Sequence, residues 1–120
     1  MARPRTFNEQ DVISGAMSLF AQRGFIGTSI DDLVETTGLL RGSLYKAFGS
    51  KLNIFLIGFR ECAQNFDPEN SYHLDLLTVA LRDLALTDEA TSELCLSILG
   101  KHPTSLAENL GRNLLTRLEK

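Results

Sequence analysis

Within eleven residues the chain sets out Arg41, Gly42, Ser43, Tyr45, Lys46 and Lys51. Cationic and hydroxyl side chains gathered around a short segment are the chemistry of anionic oxygen and of base edges. Guanidinium and ammonium groups neutralise phosphate, while hydroxyls and guanidinium groups form hydrogen bonds to bases. Other chemistries have no comparable constellation. The chain has no glycine-rich phosphate loop, no G-x-S-x-G and no H-E-x-x-H, so an enzyme is not expected. Cys62, His73, Cys95 and His102 share no short ligand spacing, so no metal or other cofactor is expected. The two cysteines read as small buried hydrophobes rather than a disulfide framework or a thiol sensor, although Cys62 closely follows Arg60.

A cationic segment of this kind needs a rigid support, and the apolar spacing supplies helices. We read the chain as all-α, a three-helix helix-turn-helix unit followed by a helical region. Val12, Ile13, Ala16, Met17 and Phe20 form a helical stripe, with Asn8 as N-cap and Gly24 as the stop. Ser29-Ile30-Asp31-Asp32 opens a second helix that runs to about Thr37 and breaks at Gly38. A third, about Leu40 to Phe48, turns Leu44 and Phe48 inward at i, i+4 and leaves Arg41, Ser43 and Lys46 elsewhere. Two helices joined by a tight glycine turn make a helix-turn-helix. Gly49 and Ser50 stop that helix and cap a fourth, from about Lys51 to Phe66, apolar enough to need cover on several sides. Asp67 to Ser71 is a turn. Beyond it, Leu77, Ala80, Leu81 and Leu84 form one stripe, Ala90, Leu94, Ile98 and Leu99 a second, and Ala107, Leu110, Leu114 and Leu118 a third.

The chain has 120 residues, 43% of them hydrophobic and 22% charged, which excludes both a large multidomain enzyme and wholesale disorder. The formal charge of −3 is unfavourable for a nucleic-acid binder until it is divided by position. Residues 1–60 carry seven bases against five acids, and residues 61–120 five against ten. Only the contacting face must be positive, so the mixed front half remains able to meet phosphate. No long apolar run and no signal peptide are evident, so a cytoplasmic protein without membrane contact is expected.

The stretch Phe20-Ala21-Gln22-Arg23-Gly24-Phe25, followed by Thr28-Ser29-Ile30 and Gly42-Ser43-Leu44-Tyr45-Lys46-Ala47-Phe48-Gly49-Ser50-Lys51, resembles the N-terminal DNA-binding domain of the TetR (tetracycline repressor) family. The likeness is continuous over roughly residues 7–60, and its combined spacing is far more specific than a bare helix-turn-helix. It implies a DNA-binding domain at 1–50 and a helical region at 51–120 for dimerisation and a possible partial ligand pocket. It also implies phosphate contact by Thr28, Ser29, Tyr45 and Lys51. Base-edge reading falls to Arg41, Gly42, Ser43 and Lys46, Gly42 because its missing side chain lets the backbone approach. Arg3 and Arg5 lie in an arm able to reach a neighbouring groove or phosphate. Leu40 stands where a small polar cap is usual, Ala47 where an aromatic or His often touches the backbone, and Asp31 where a base is frequent. These departures point to modest DNA affinity.

Members of that family continue into a larger helical domain that binds an inducer and dimerises. Here about 54 residues follow the fourth helix, so the inducer pocket is expected to be missing, incomplete or built at an interface, in a fragment or a naturally shortened member. The leading expectation is a homodimeric repressor of a double-stranded, palindromic operator, released by an unidentified small hydrophobic ligand. Leu110, Leu114, Leu115 and Leu118 are expected at the dimer interface or, in the competing reading, closing the subunit's own core. The alternative function is a protein-interaction module with weak or no DNA binding.

Overall fold

The computed structural model describes residues 7–119. Among the described residues seven α-helices follow one another: α1 (Glu9–Arg23), α2 (Ile30–Thr37), α3 (Arg41–Phe48), α4 (Lys51–Gln64), α5 (Ser71–Val79), α6 (Glu89–Lys101) and α7 (Leu106–Thr116). A π-helical turn, Ala80–Leu84, extends α5, and a short 3-10 turn follows α7. No strand occurs among the described residues, and no helix among them is long and apolar enough to cross a membrane.

Local chemistry explains the boundaries in the front half. The Asn8 side chain accepts from the amides of Gln10 and Asp11 at 2.8 and 3.2 Å, satisfying donors that the helix itself cannot. Ser29 and Asp32 form a reciprocal capping box at the start of α2. Ser50 caps α4 through the Asn53 amide, and Gly24, Gly38 and Gly49 close α1, α2 and α3. Leu40, in contrast, gives α3 no side-chain cap.

Helix α4 is the central post. Ile54, Phe55 and Phe59 are almost wholly buried, and the helix packs against both α1 and α6. Phe55 sits edge-on to Phe20 and Phe25 and stacks on Phe59, with ring centroids 5.3 to 5.8 Å apart. Such pairs add about 0.5 to 1.5 kcal/mol each beyond area burial. Where α1 crosses α4, Gly58 lets Met17 come close: a β-carbon at position 58 would stand 2.4 Å from the Met17 side chain.

Two expectations change. Helix α4 ends at Gln64, and Phe66 is buried beyond it against the rings of His73 and His102. The stripe assigned to Leu77, Ala80, Leu81 and Leu84 is continuous only in part. Leu77, Ala80 and Leu84 are buried while Leu81 is exposed, because the wider π turn, closed by the Ala85 amide on the Ala80 carbonyl, alters the helical phase. In α6, Ile98 is buried and Leu99 exposed.

The back half is tied on by polar contacts. Asn109 is buried and donates to the Pro68 carbonyl at 2.7 Å. Asp75 of α5 accepts from Asn113 of α7 and pairs with Arg117. Leu110 packs partly against the core, as the core-closing reading requires. Leu114, Leu115 and Leu118 do not, being 44%, 64% and 82% exposed. Both cysteines are buried and free, and burial pushes their thiols up to about 12 for Cys62 and about 11 for Cys95. Burial of this kind disfavours the thiolate that redox sensing needs.

Candidate nucleic-acid interface

Helices α2 and α3 meet through the Gly38 turn, where φ is +77°. The turn is reinforced by Thr37, whose hydroxyl donates to the Leu33 carbonyl and accepts from the Leu39 amide. Leu39, Leu44 and Phe48 are buried and fix α3 to the support helices. Arg41, Gly42, Tyr45, Lys46 and Ala47 are left exposed, with Ser43 half-buried. The structure therefore brings Arg41, Gly42, Ser43, Tyr45 and Lys46 onto one short helix and holds its opposite side in the core. A β-carbon on Gly42 would meet nothing within 4 Å, so the protein itself does not demand glycine there. Asn53 donates to the Phe48 carbonyl at 2.8 Å, securing the far end of α3 to the start of α4.

Charge on this face is partly neutralised. Arg41 forms an ion pair with Asp31 of α2, both side chains being exposed. Arg23 pairs with Asp32 at 3.3 Å. The amide and hydroxyl of Ser29, followed by Arg23, hold the Asp32 carboxyl below the usual range. Ser29 is exposed, and its oxygen accepts from the Asp32 amide at 3.0 Å. The same hydroxyl proton is drawn to the Asp32 carboxylate, so a phosphate contact by Ser29 competes with that carboxylate.

Two residues that the family resemblance assigns to phosphate are engaged inside the chain. The Thr28 side chain is wholly buried, and its hydroxyl donates to the Gly24 carbonyl at 2.7 Å. Lys51 folds back from the start of α4. Its Nζ donates to the Phe25 and Thr28 carbonyls at 2.9 and 2.8 Å and stands 4.2 Å from the centre of the Phe25 ring. Two of the three ammonium N–H groups are spent in this way. Desolvation lowers the Lys51 pKa, and the nearby Asp83 carboxylate opposes that shift. A cation at a helix N-terminus opposes the helix dipole, and these internal acceptors account for its presence. Arg3 and Arg5 lie outside the described residues.

Sequence reasoning missed Asp83. Its side chain is only 7% exposed, and its Oδ2 accepts from the Phe25 and Ile26 amides at 2.9 and 3.3 Å. No local pattern could have linked residues 57 and 58 positions apart.

Comparisons with known proteins cover this part of the chain. Residues 12–56 match the profile of bacterial regulatory proteins of the tetR family. The chain is 40% identical over 58 residues to the HTH-type transcriptional repressor AcnR of Corynebacterium glutamicum, an alignment covering 48% of this chain and 31% of that protein. It is 43% identical over 53 residues to the HTH-type transcriptional repressor BdcR of Escherichia coli, covering 44% and 27%. For the HTH-type transcriptional repressor ComR of the same organism the figures are 42% over 53 residues, covering 44% and 25%. The matched part thus amounts to less than a third of each relative's length. No solved structure matches the chain.

Proposed function

From a chain whose residues 12–56 match the profile of bacterial regulatory proteins of the tetR family, we propose a transcriptional repressor that reads duplex DNA with α3 and acts as a homodimer. The observation that carries this reading is the division of α3 into a buried side, Leu44 and Phe48, and an exposed side bearing Arg41, Gly42, Tyr45 and Lys46, with Ser43 half-buried at its edge. A recognition helix in the major groove needs that division. Arg41, Gly42, Ser43 and Lys46 read base edges. Tyr45 and Ser29 contact phosphate, and Arg3 and Arg5 extend the footprint. Arg41 must exchange Asp31 for DNA or carry the pair with it, which fits modest affinity.

Dimerisation is supported by Leu114, Leu115 and Leu118, which one subunit leaves in water. A two-fold axis through α7 would present two copies of α3 to an inverted repeat. For a small hydrophobic effector, an open groove of about 470 Å³ lies between α1, α4 and α5, lined by Ile13, Met17, Cys62, Tyr72, His73 and Leu76 among others.

The test is selection of bound duplexes from a random library at physiological salt, above the concentration needed for dimerisation. A palindromic consensus is the expected result, and its half-site spacing measures the separation of the two α3 helices. Recovery of nothing above background from folded protein overturns the repressor reading in favour of the protein-interaction module, for which the same exposed leucines would serve.

A further inference from the structure

The turn between α1 and α2 is gripped from two sides by residues distant in sequence. Lys51 of α4 takes the carbonyls of Phe25 and Thr28. Asp83, from the π-helical turn of the back half, takes the amides of Phe25 and Ile26. Phe25 is therefore held by its amide, its carbonyl and its ring, the ring packing against Phe20 and Phe55. The turn is shaped for this grip. A β-carbon at Gly24, where φ is +85°, would lie 2.6 Å from the Arg82 guanidinium and 3.1 Å from Asp83 Oδ2, and one at Gly27 would lie 2.2 Å from the Arg23 carbonyl. Arg82, largely exposed, pairs with Asp83 at 2.8 Å and fixes the carboxylate from its solvent side. Asp83 lies within the π turn Ala80–Leu84, and such one-residue bulges recur at functional positions.

We infer that Asp83 is a positioning residue for DNA binding, its carboxylate setting the α1–α2 turn and, through it, the placement of α2 and α3 relative to α4. It touches no DNA. Three residues beyond Ile26 stands Ser29, the cap of α2, so a displacement of the turn is passed directly to the start of the helix-turn-helix. The inference rests on the DNA-binding reading above.

The sign of the effect separates positioning from simple charge. Removing a carboxylate from a protein that binds a polyanion tightens binding through general electrostatics. If Asp83 positions the reading helices, Asp83→Ala in the full chain instead weakens binding to a random-sequence duplex by about tenfold, equivalent to about 1.4 kcal/mol. Asp83→Glu keeps the charge but not the reach, and is expected to weaken binding too. Asp83→Asn, retaining one acceptor oxygen in place, loses less. Glu93→Ala, which removes an exposed acid of α6 in the back half, leaves affinity unchanged or slightly raised.

Residual dipolar couplings of α2 and α3, measured without DNA, are the second readout and are expected to change in the Ala and Glu variants. Should Asp83→Ala fail to fold, the Asn and Glu variants carry both measurements. Unchanged or tighter binding by folded Ala or Glu variants overturns the inference. If the parent chain fails to hold duplex at all, the DNA reading falls, and with it the role in DNA binding. In that case the couplings alone decide whether Asp83 orients the two helices, and unchanged couplings refute that as well.

Discussion

The outer side of α3 and the turn between α1 and α2 are built from similar residue types and put to opposite uses. On α3, Tyr45 and Lys46 point to water and have little to hold them. At the turn, Thr28 and Lys51 are drawn inward to backbone carbonyls, and Asp83 closes the other side. A lysine or threonine in a DNA-binding motif is thus not defined by its type. A cation whose donors are already matched by buried carbonyls contributes to folding first, and one without such partners remains available to phosphate.

The largest test of this contrast lies at the anchor of the turn. Phe55→Ala removes the ring shared by Phe20, Phe25 and Phe59 and is expected to cost about 3 to 5 kcal/mol of stability by urea denaturation. Tyr45→Ala, also an aromatic truncation, is expected to stay within about 0.5 kcal/mol while weakening binding to all duplex sequences. Equal losses of stability would erase the distinction. Thr28→Val keeps the shape but strands the Gly24 carbonyl, and is expected to cost about 1 to 3 kcal/mol without changing the salt dependence of DNA binding.

The two lysines sharpen the comparison further. Lys51→Met is expected to cost about 1 kcal/mol of stability, since the ammonium is only partly shielded from solvent, and to leave the slope of log affinity against log salt where it was. Lys46→Ala is expected to do the reverse, lowering that slope by about one at almost unchanged stability. A shallower slope for Lys51→Met would return Lys51 to the phosphate surface.

The smallest expected effect is one of pH. Arg82, followed by the amides of Ile26 and Phe25, holds the Asp83 carboxyl below its ordinary value of 3.8. A carboxyl lowered by folding stabilises the native state fully above its unfolded pKa, and that contribution is lost as pH falls through the folded one. Asp32 and Asp88 are shifted in the same direction and contribute to the same acid limb. Urea midpoints followed from neutral pH to below 4 should therefore fall less steeply in Asp83→Ala than in the parent, while the neutral limbs run parallel.

What could be read in advance follows the range of the forces involved. Asn8, Ser29 and Ser50 announce helix starts, and Gly24, Gly38 and Gly49 announce stops, because a cap acts within a few residues of itself. The inward side of α3 was equally legible from Leu44 and Phe48. The grip on Phe25 was not, since Lys51 and Asp83 reach it from 26 and 58 positions away. Leu81 was misplaced for a related reason: a π turn alters helical phase without a signature in residue type. The ion pair of Arg41 with Asp31 crosses the turn between two helices, and the unusual acid at position 31 was its one visible trace.

The contact of Gly58 with Met17 bears on how this sequence is able to drift. With a β-carbon at 58 only 2.4 Å from the methionine side chain, a substitution at that position requires that side chain to move while α1 and α4 keep their distance. A smaller residue at 17 removes the conflict. In a set of relatives, positions 17 and 58 should accordingly change as a pair, large with glycine and small with alanine. Gly58→Ala in the laboratory should be tolerated with Met17→Ala and resisted without it.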